Sequence, residues 1–326
     1  FVGGNFSYLG SKRNLALVDP AGNAVTSFNA LQDSEENVFA LAFADNVLLT
    51  GGAMTGAIEG RVRVKLDPWD NLVRDGFGST DRIGVTSFAV YQGELFAAVE
   101  TSTTPELRQS PDGETWNPAA FTFNPVLDES NGQSSALITD MLTFNGFFWL
   151  TTSTGRASPG AIYRLSSSTF LQINDDDSGF IEGSTKMTVM EIHNDFLYVG
   201  TQHSAGAQLW RTRHDRSDAD YDAGGAQDWE KVADLNDDAQ FPGTENDLDL
   251  EITALYSDGT DLFFGTENMI QGATVYSSST GDVGSWSKVG DLHNTADTAV
   301  TSMNSINGIL FAGTHNDNGA SLYWFD

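Results

Sequence analysis

The chain has 326 residues, no cysteine, and 45 acidic against 16 basic side chains, for a formal net charge of -29 at pH 7. Acids spread along the whole chain repel nucleic acid and anionic membrane surfaces, and the lack of cysteine excludes a disulfide scaffold, a thiolate nucleophile and a Cys-ligated metal. No run reaches the roughly 20 apolar residues of a membrane-spanning helix. The first residues, FVGGNF, already read as strand with no basic-then-apolar leader before them, so the expectation is that a leader has been removed or that the chain is part of something longer.

Short apolar strands, most of them turning at glycine, recur in chain order: FVGG at 1–4, LLTGG at 48–52, LFAAV at 95–99, FFWLT at 147–151, LYVGT at 197–201, LFFGT at 262–266 and LFAGT at 310–314. Their matching positions, Gly3, Gly51, Ala98, Leu150, Gly200, Gly265 and Gly313, are 48, 47, 52, 50, 65 and 48 residues apart. A period near fifty is that of a four-stranded propeller blade. Within a copy, VTSFAVYQGELFAAV at 85–99 gives a first strand, a turn and a second strand, with Asn-Gly at Asn145-Gly146 and Asn307-Gly308 where a tight hairpin needs positive φ. Third strands follow at GAIYRL 160–165, GAQLWRT 206–212, GATVYSS 272–278 and GASLYWFD 319–326, and short fourth strands at DWEKV 228–232 and SWSKV 285–289.

The predicted fold is therefore an all-β propeller of seven four-stranded antiparallel blades in one domain, at approximately 1–38, 39–84, 85–136, 137–186, 187–251, 252–298 and 299–326. The first copy starts at its second strand and the last stops at its third, so ring closure is expected to need residues beyond this stretch or a modified join. The 65-residue step reflects a charged insertion, RTRHDRSDADYDAGGAQDW at 211–229, between third and fourth strands. The Gly-Thr pairs ending second strands predict close backbone approach, with the threonine bonded locally. Leu197, Val199, Leu209, Phe263, Val275, Phe311 and Leu322 are candidates to face between sheets.

SPDGETW at 110–116 resembles an abbreviated Asp box, the turn of sialidase-like propellers, one residue short of the common form. The resemblance implies a structural turn for Ser110, Asp112, Gly113 and Trp116, remote from chemistry. The matching stretches, Thr212 through Trp229 and Ser277 through Trp286, keep the aromatic strand and the tryptophan but no clean turn. The whole repeat, with loops such as DGFGSTDRIG and DDDSGFIEG, is similar to bacterial extracellular propeller repeats of mostly unassigned function, and the opening FVGGNFSYLGSKRNLALVDPAGNAVTSFN to another bacterial surface repeat. These resemblances imply a secreted or cell-surface setting, and neighbouring domains in a longer chain.

Loops joining second to third strands share a rim with the loops between blades, and that rim is where a ligand is expected. On it fall His203, Glu267, Asn268, His315 and Asn316, candidates for rim recognition. Asp175, Asp176 and Asp177, with Asp237 and Asp238, occupy corresponding interblade loops followed by Glu245, Asp247, Asp249 and Glu251; clustered oxygen donors of this kind suit Ca²⁺. His193, His214 and His293 are expected to be exposed. The 11 arginines include no three at equivalent inner-strand positions, so the carboxylate-binding arginine cluster of a sialidase is missing. The primary reading is a noncatalytic, calcium-stabilised module that binds a protein, a neutral glycan or a copy of itself. The alternative is a glycan-active hydrolase or lyase using rim carboxylates, to be recognised by a central pocket with paired carboxyl groups of raised pKa.

Overall fold

The computed structural model describes residues 77, 79–121, 123, 137–153, 160–174, 184–214, 229–237, 241, 249–292, 295–306, 308–317, 319 and 321–325, with backbone alone at 184, 185 and 291 and for six strands within the first 73 residues. The regular elements among them are β-strands. β1 (Val2–Gly3) pairs with β2 (Leu15–Ala16). Five antiparallel meanders of four strands follow. The first two are β3–β6 (Ala40–Ala44, Val47–Gly52, Arg61–Lys65, Trp69–Val73) and β7–β10 (Arg82–Tyr91, Glu94–Thr101, Glu106–Ser110, Asn117–Pro118). The next is β11–β14 (Leu137–Phe144, Phe147–Ser153, Ile162–Ser166, Thr169–Gln172). Then come β15–β18 (Ser184–His193, Phe196–His203, Gln208–Thr212, Glu230–Asp234) and β19–β22 (Glu251–Ser257, Leu262–Glu267, Thr274–Ser278, Ser287–Asp291). β23–β25 (Ala299–Ile306, Ile309–His315, Leu322–Phe325) repeat the first three strands of the unit.

Consecutive sheets touch at the ends of their second strands, where Ser153 pairs with Lys186, Gln202 with Glu251 and Glu267 with Ala299. First strands pack beside first strands from sheet to sheet. The result is propeller-like: each meander is a wedge whose first strand lies nearest a common centre.

The hairpins form where the sequence places them. Gln92 and Gly93 have φ of 51° and 81°, and Asn145 and Gly146 have 49° and 79°, as a two-residue turn with both central residues left-handed requires. Third strands begin two residues after their glycine, at Gln208 and Thr274, and fourth strands one residue after their tryptophan, at Glu230 and Ser287. Apolar faces meet between sheets: Leu197, Val199, Leu209 and Val275 are fully buried, whereas Phe263, Phe311 and Leu322 are half-buried.

In two of these strands the glycine before the threonine is a packing requirement. A Cβ on Gly265 would lie 2.4 Å from the Cβ of Val300 on the next sheet's first strand, and one on Gly200 2.8 Å from Ile252 Cγ2. The threonines bond locally: Thr201 Oγ1 accepts the N–H of Gln208 at 3.0 Å, and Thr266 Oγ1 that of Thr274 at 3.1 Å.

Two histidines depart from expectation. His193 and His214 are buried rather than exposed. His193 Nδ1 lies 2.9 Å from Ser257 Oγ of the next sheet. His214 folds back from the edge of the charged insertion to contact the fully buried Arg164, whose guanidinium also sits 4.5 Å over the Phe147 ring. A planar cation on an aromatic face explains how an arginine is tolerated there. His293 lies outside the described residues.

Candidate active site

The first strands carry a repeated pair, an apolar residue followed by threonine: Val85-Thr86, Ile138-Thr139, Met187-Thr188, Ile252-Thr253 and Val300-Thr301. All five strands bulge at or just after this pair, between Val85 and Ser87 for example and between Ile252 and Ala254. A bulge re-aims a side chain, and the five threonines line a central cavity of about 770 Å³. Three of them stitch one sheet to the next. Thr86 donates to the carbonyl of Ile138 at 2.6 Å, Thr139 to that of Met187 at 2.5 Å and Thr188 to that of Ile252 at 2.5 Å. Thr253 and Thr301 turn instead to their own sheets, donating to Gly265 and Gly313 at 3.3 and 3.2 Å.

Carboxyl groups occupy the same cavity. Glu100, Asp140 and Glu251 line it, with Lys186 opposite in charge. Lys186 Nζ is 3.0 Å from Glu251 Oε2, and Gln202 Nε2 donates to the same oxygen at 2.7 Å. Burial pushes the Glu100 carboxyl above its usual range. Glu267 is also pushed up, by burial first and then by the charge of Glu251.

Asp140 follows Thr139, at the bulge. Its Oδ1 accepts from Ser87 Oγ at 3.0 Å and from the N–H of Met141 at 2.7 Å, and its Oδ2 accepts the N–H of Met190 at 2.7 Å. Burial nonetheless raises it to about 6. Glu191, on the neighbouring first strand, is raised to about 7 by burial, with the charge of Asp140 adding to the shift. Carboxyl groups displaced in this way change charge near neutrality, the property general acid catalysis needs.

The rim candidates separate into two groups. Glu267 reaches the cavity cluster, where the charges of Glu251, Lys186 and His315 act on it. His315 Nδ1 lies 3.1 Å from Thr298 Oγ1, and His203 Nδ1 accepts the N–H of Ala205 at 3.1 Å. Asn268 and Asn316 are buried and hold their loops. Asn268 Nδ2 donates to Asp249 Oδ1 at 3.0 Å while its own Oδ1 accepts the N–H groups of Ile270 and Gln271, and Asn316 Nδ2 donates to Asp297 Oδ1 at 2.9 Å.

Asp249 and Asp297 are thus equivalent anchors just before two first strands, yet their charges differ in cost. Burial raises Asp249 to about 6. At Asp297 burial acts in the same direction, but hydrogen bonds from Tyr323, Asn316, Thr314 and Ser321 outweigh it and hold the carboxyl below its usual range.

Of the expected calcium ligands, Asp175, Asp176, Asp177 and Asp238 lie outside the described residues, as do Glu245 and Asp247. Asp237 is described, in a turn where its N–H donates to Asp234 and its carbonyl accepts from Phe241. Asp249 is buried and Glu251 lines the cavity, so these two do not share a loop surface. Among the described residues, no group of three or more His, Asp or Glu is placed to hold a metal.

The stretch Ser110–Trp116 closes on itself. Ser110 Oγ accepts the N–H of Gly113 at 2.8 Å, Asp112 Oδ1 accepts those of Glu114 and Thr115, and Trp116 Nε1 donates to the Gly113 carbonyl at 2.9 Å. The equivalent stretch at 278–286 carries the same serine bond, Gly281 N to Ser278 Oγ at 2.8 Å, which the sequence reading misses because the aspartate there is displaced. Asp282 instead pairs with Arg211 of the preceding sheet at 2.8 Å.

No protein-family model and no curated protein matches the chain. Solved structures match in fold. A presumptive 6-phosphogluconolactonase from Bacteroides uniformis superposes with a TM-score of 0.56 at 12% identity, over 93% of this chain and 87% of that one. A prolyl endopeptidase matches at 0.52 and 10%, over 92% of this chain and 42% of the other, and Trypanosoma rangeli sialidase at 0.52 and 10%, over 95% and 56%. The chain therefore spans about half the length of the last two. At these identities the likeness is one of architecture, and it establishes an all-β, propeller-like fold.

The same set corrects the expectation of a noncatalytic binding or assembly module, because each of these structures is named as an enzyme.

Proposed function

We propose that the chain is a glycan-active hydrolase whose catalytic groups are Glu100 and Glu251. One observation carries this reading: a single cavity holds two carboxyl groups in opposed environments. Burial favours the proton on Glu100, while Glu251 lies 3.0 Å from an ammonium and accepts from an amide at 2.7 Å. Hydrolysis of a glycosidic bond uses such a pair. The protonated group donates to the leaving oxygen as the bond to the anomeric carbon breaks, and the ionised one attacks that carbon or takes a proton from the attacking water. Both contacts to Glu251 fall on Oε2, which supports Oε1 as the reacting oxygen.

The cavity, at about 770 Å³, is of the size that encloses small ligands. With a net charge of -29, an anionic glycan is disfavoured. On this reading the sheets are seven four-stranded blades of one domain, as the fifty-residue period supports, and His203 and His315 flank the entrance as substrate contacts. Ser110–Trp116 is then an Asp-box-like turn, and the setting is outside the cell or on its surface.

The test is release of reducing sugar from uncharged and amino-sugar polysaccharides, with a panel of 4-nitrophenyl glycosides alongside. Turnover of at least one is expected, with kcat lowered about 100-fold or more in Glu100→Gln and in Glu251→Gln at unchanged circular dichroism. Release from none of them, or full rates in both variants, would overturn the assignment.

A further inference from the structure

The threonine belt restricts what the cavity can hold. A threonine hydroxyl has one hydrogen to give and two lone pairs to offer. At Thr86, Thr139, Thr188, Thr253 and Thr301 that hydrogen is committed to a backbone carbonyl, a group that can only accept; Thr139 Oγ1 also meets the Thr151 hydroxyl at 2.9 Å, which leaves it one lone pair. Toward a ligand the belt is therefore an acceptor surface made of five oxygens.

The charged side chains around it point the same way. Glu100, Asp140 and Glu251 share the lining with Lys186, the one cationic side chain among the described lining residues, and its ammonium is already directed at Glu251. A group that settles against the belt has to bring hydrogens, and positive charge on it is favoured by the Asp140 carboxylate once that group is ionised, above about pH 6. A sugar hydroxyl brings one hydrogen and no charge. A protonated amine brings three and the charge. An N-acetylated amine keeps one N–H but adds a carbonyl, an acceptor set against acceptors, which is unfavourable in an enclosed site.

We infer that the threonine belt is a subsite for a protonated amine, so that the glycan acted on, resting on the hydrolase reading above, contains free amino sugars. This goes further than carboxylate chemistry, since Glu100 and Glu251 would cleave a neutral glycan by the same steps.

Calorimetric binding of short glucosamine oligomers, compared with N-acetylglucosamine and glucose oligomers of the same length, tests it at fixed ionic strength in an amine-free buffer. The glucosamine series is expected to bind about tenfold or more tightly than either of the others. Thr301→Val removes one acceptor where the native hydroxyl bonds only within its own sheet, and it should reduce that preference about threefold or more while melting close to the parent protein. Thr253→Val, with the same kind of bond, serves if Thr301→Val does not fold. Equal or tighter binding of the N-acetylated or glucose series, failure of glucosamine oligomers to bind, or a preference unchanged in the folded valine variant would overturn the inference. Hydrolysis of a neutral glycan, lost in Glu251→Gln and showing no amino-sugar preference, would sink this subsite and leave the hydrolase reading intact. Amino-sugar binding with no hydrolysis would do the reverse.

Discussion

Asp140 Oδ2 accepts the backbone N–H of Met190 at 2.7 Å, so a carboxyl group on one sheet's first strand satisfies an amide at the bulge of the next. Its other oxygen takes the Ser87 hydroxyl of the preceding sheet, and three sheets meet on one side chain. A group so placed makes the assembly sensitive to its protonation.

The folded protein holds the Asp140 proton up to about pH 6, whereas the unfolded chain releases it near 3.8. Its contribution is therefore complete below about pH 4 and is lost as pH rises through 6, by about 3 kcal/mol for a shift of roughly two units. Glu191, raised to about 7, acts in the same direction. Denaturant midpoints measured between pH 4 and 7 should fall in the parent protein and flatten in Asp140→Asn with Glu191→Gln. A slope unaffected by the double substitution would remove these two groups from the account.

Gly265→Ala should destabilise by about 3 kcal/mol, because the new methyl would stand 2.4 Å from Val300 Cβ in a packed interface. Gly259→Ala is the contrast. That glycine has φ of 88° and open space around it, so only backbone strain of about 1 kcal/mol is expected. Val300→Ala should recover part of the Gly265→Ala loss, and strictly additive effects in urea unfolding would contradict a direct contact.

Thr188→Val should cost about 1–2 kcal/mol, since it deprives the Ile252 carbonyl of its donor across the sheet boundary. Thr301→Val, whose bond stays within one sheet, should cost less. Equal losses in thermal unfolding would mean that the belt does not join sheets.

Lys186→Met leaves Glu251 without the ammonium that stabilises its charge. On the hydrolase reading kcat should fall about tenfold with KM little changed. An unchanged kcat would separate Lys186 from the reaction.

Asp112 is held near 2 by the backbone N–H groups of Thr115 and Glu114. Carboxyl chemical shifts followed by NMR should show it titrating about two units below an ordinary aspartate. A midpoint near 4 would mean that the turn is open in solution.

Much of the fold is legible along the chain. The fifty-residue period, the Asn145-Gly146 hairpin and the Gly-Thr strand ends read correctly because each depends on residues close in sequence, while Asn307 lies outside the described residues. The threonine belt was readable too, in VTSF, ITDM, MTVM, ITAL and VTSM, as a repeated threonine at one register of a strand whose neighbours vary.

The chemistry was not legible in the same way. Glu251 reads as the last member of an acidic run and Glu100 carries no motif at all; only the stacking of sheets brings them into one cavity and sets Lys186 against one of them. Likewise His193 and His214 look like solvent-facing loop residues until packing buries them. Sequence by itself determined the strands, their order and their repeat, since local hydrogen bonding and alternation of apolar residues act over a few positions. Which acids keep their protons, and which side chains converge, was decided by tertiary structure, because burial and charge proximity are set by segments some fifty residues apart.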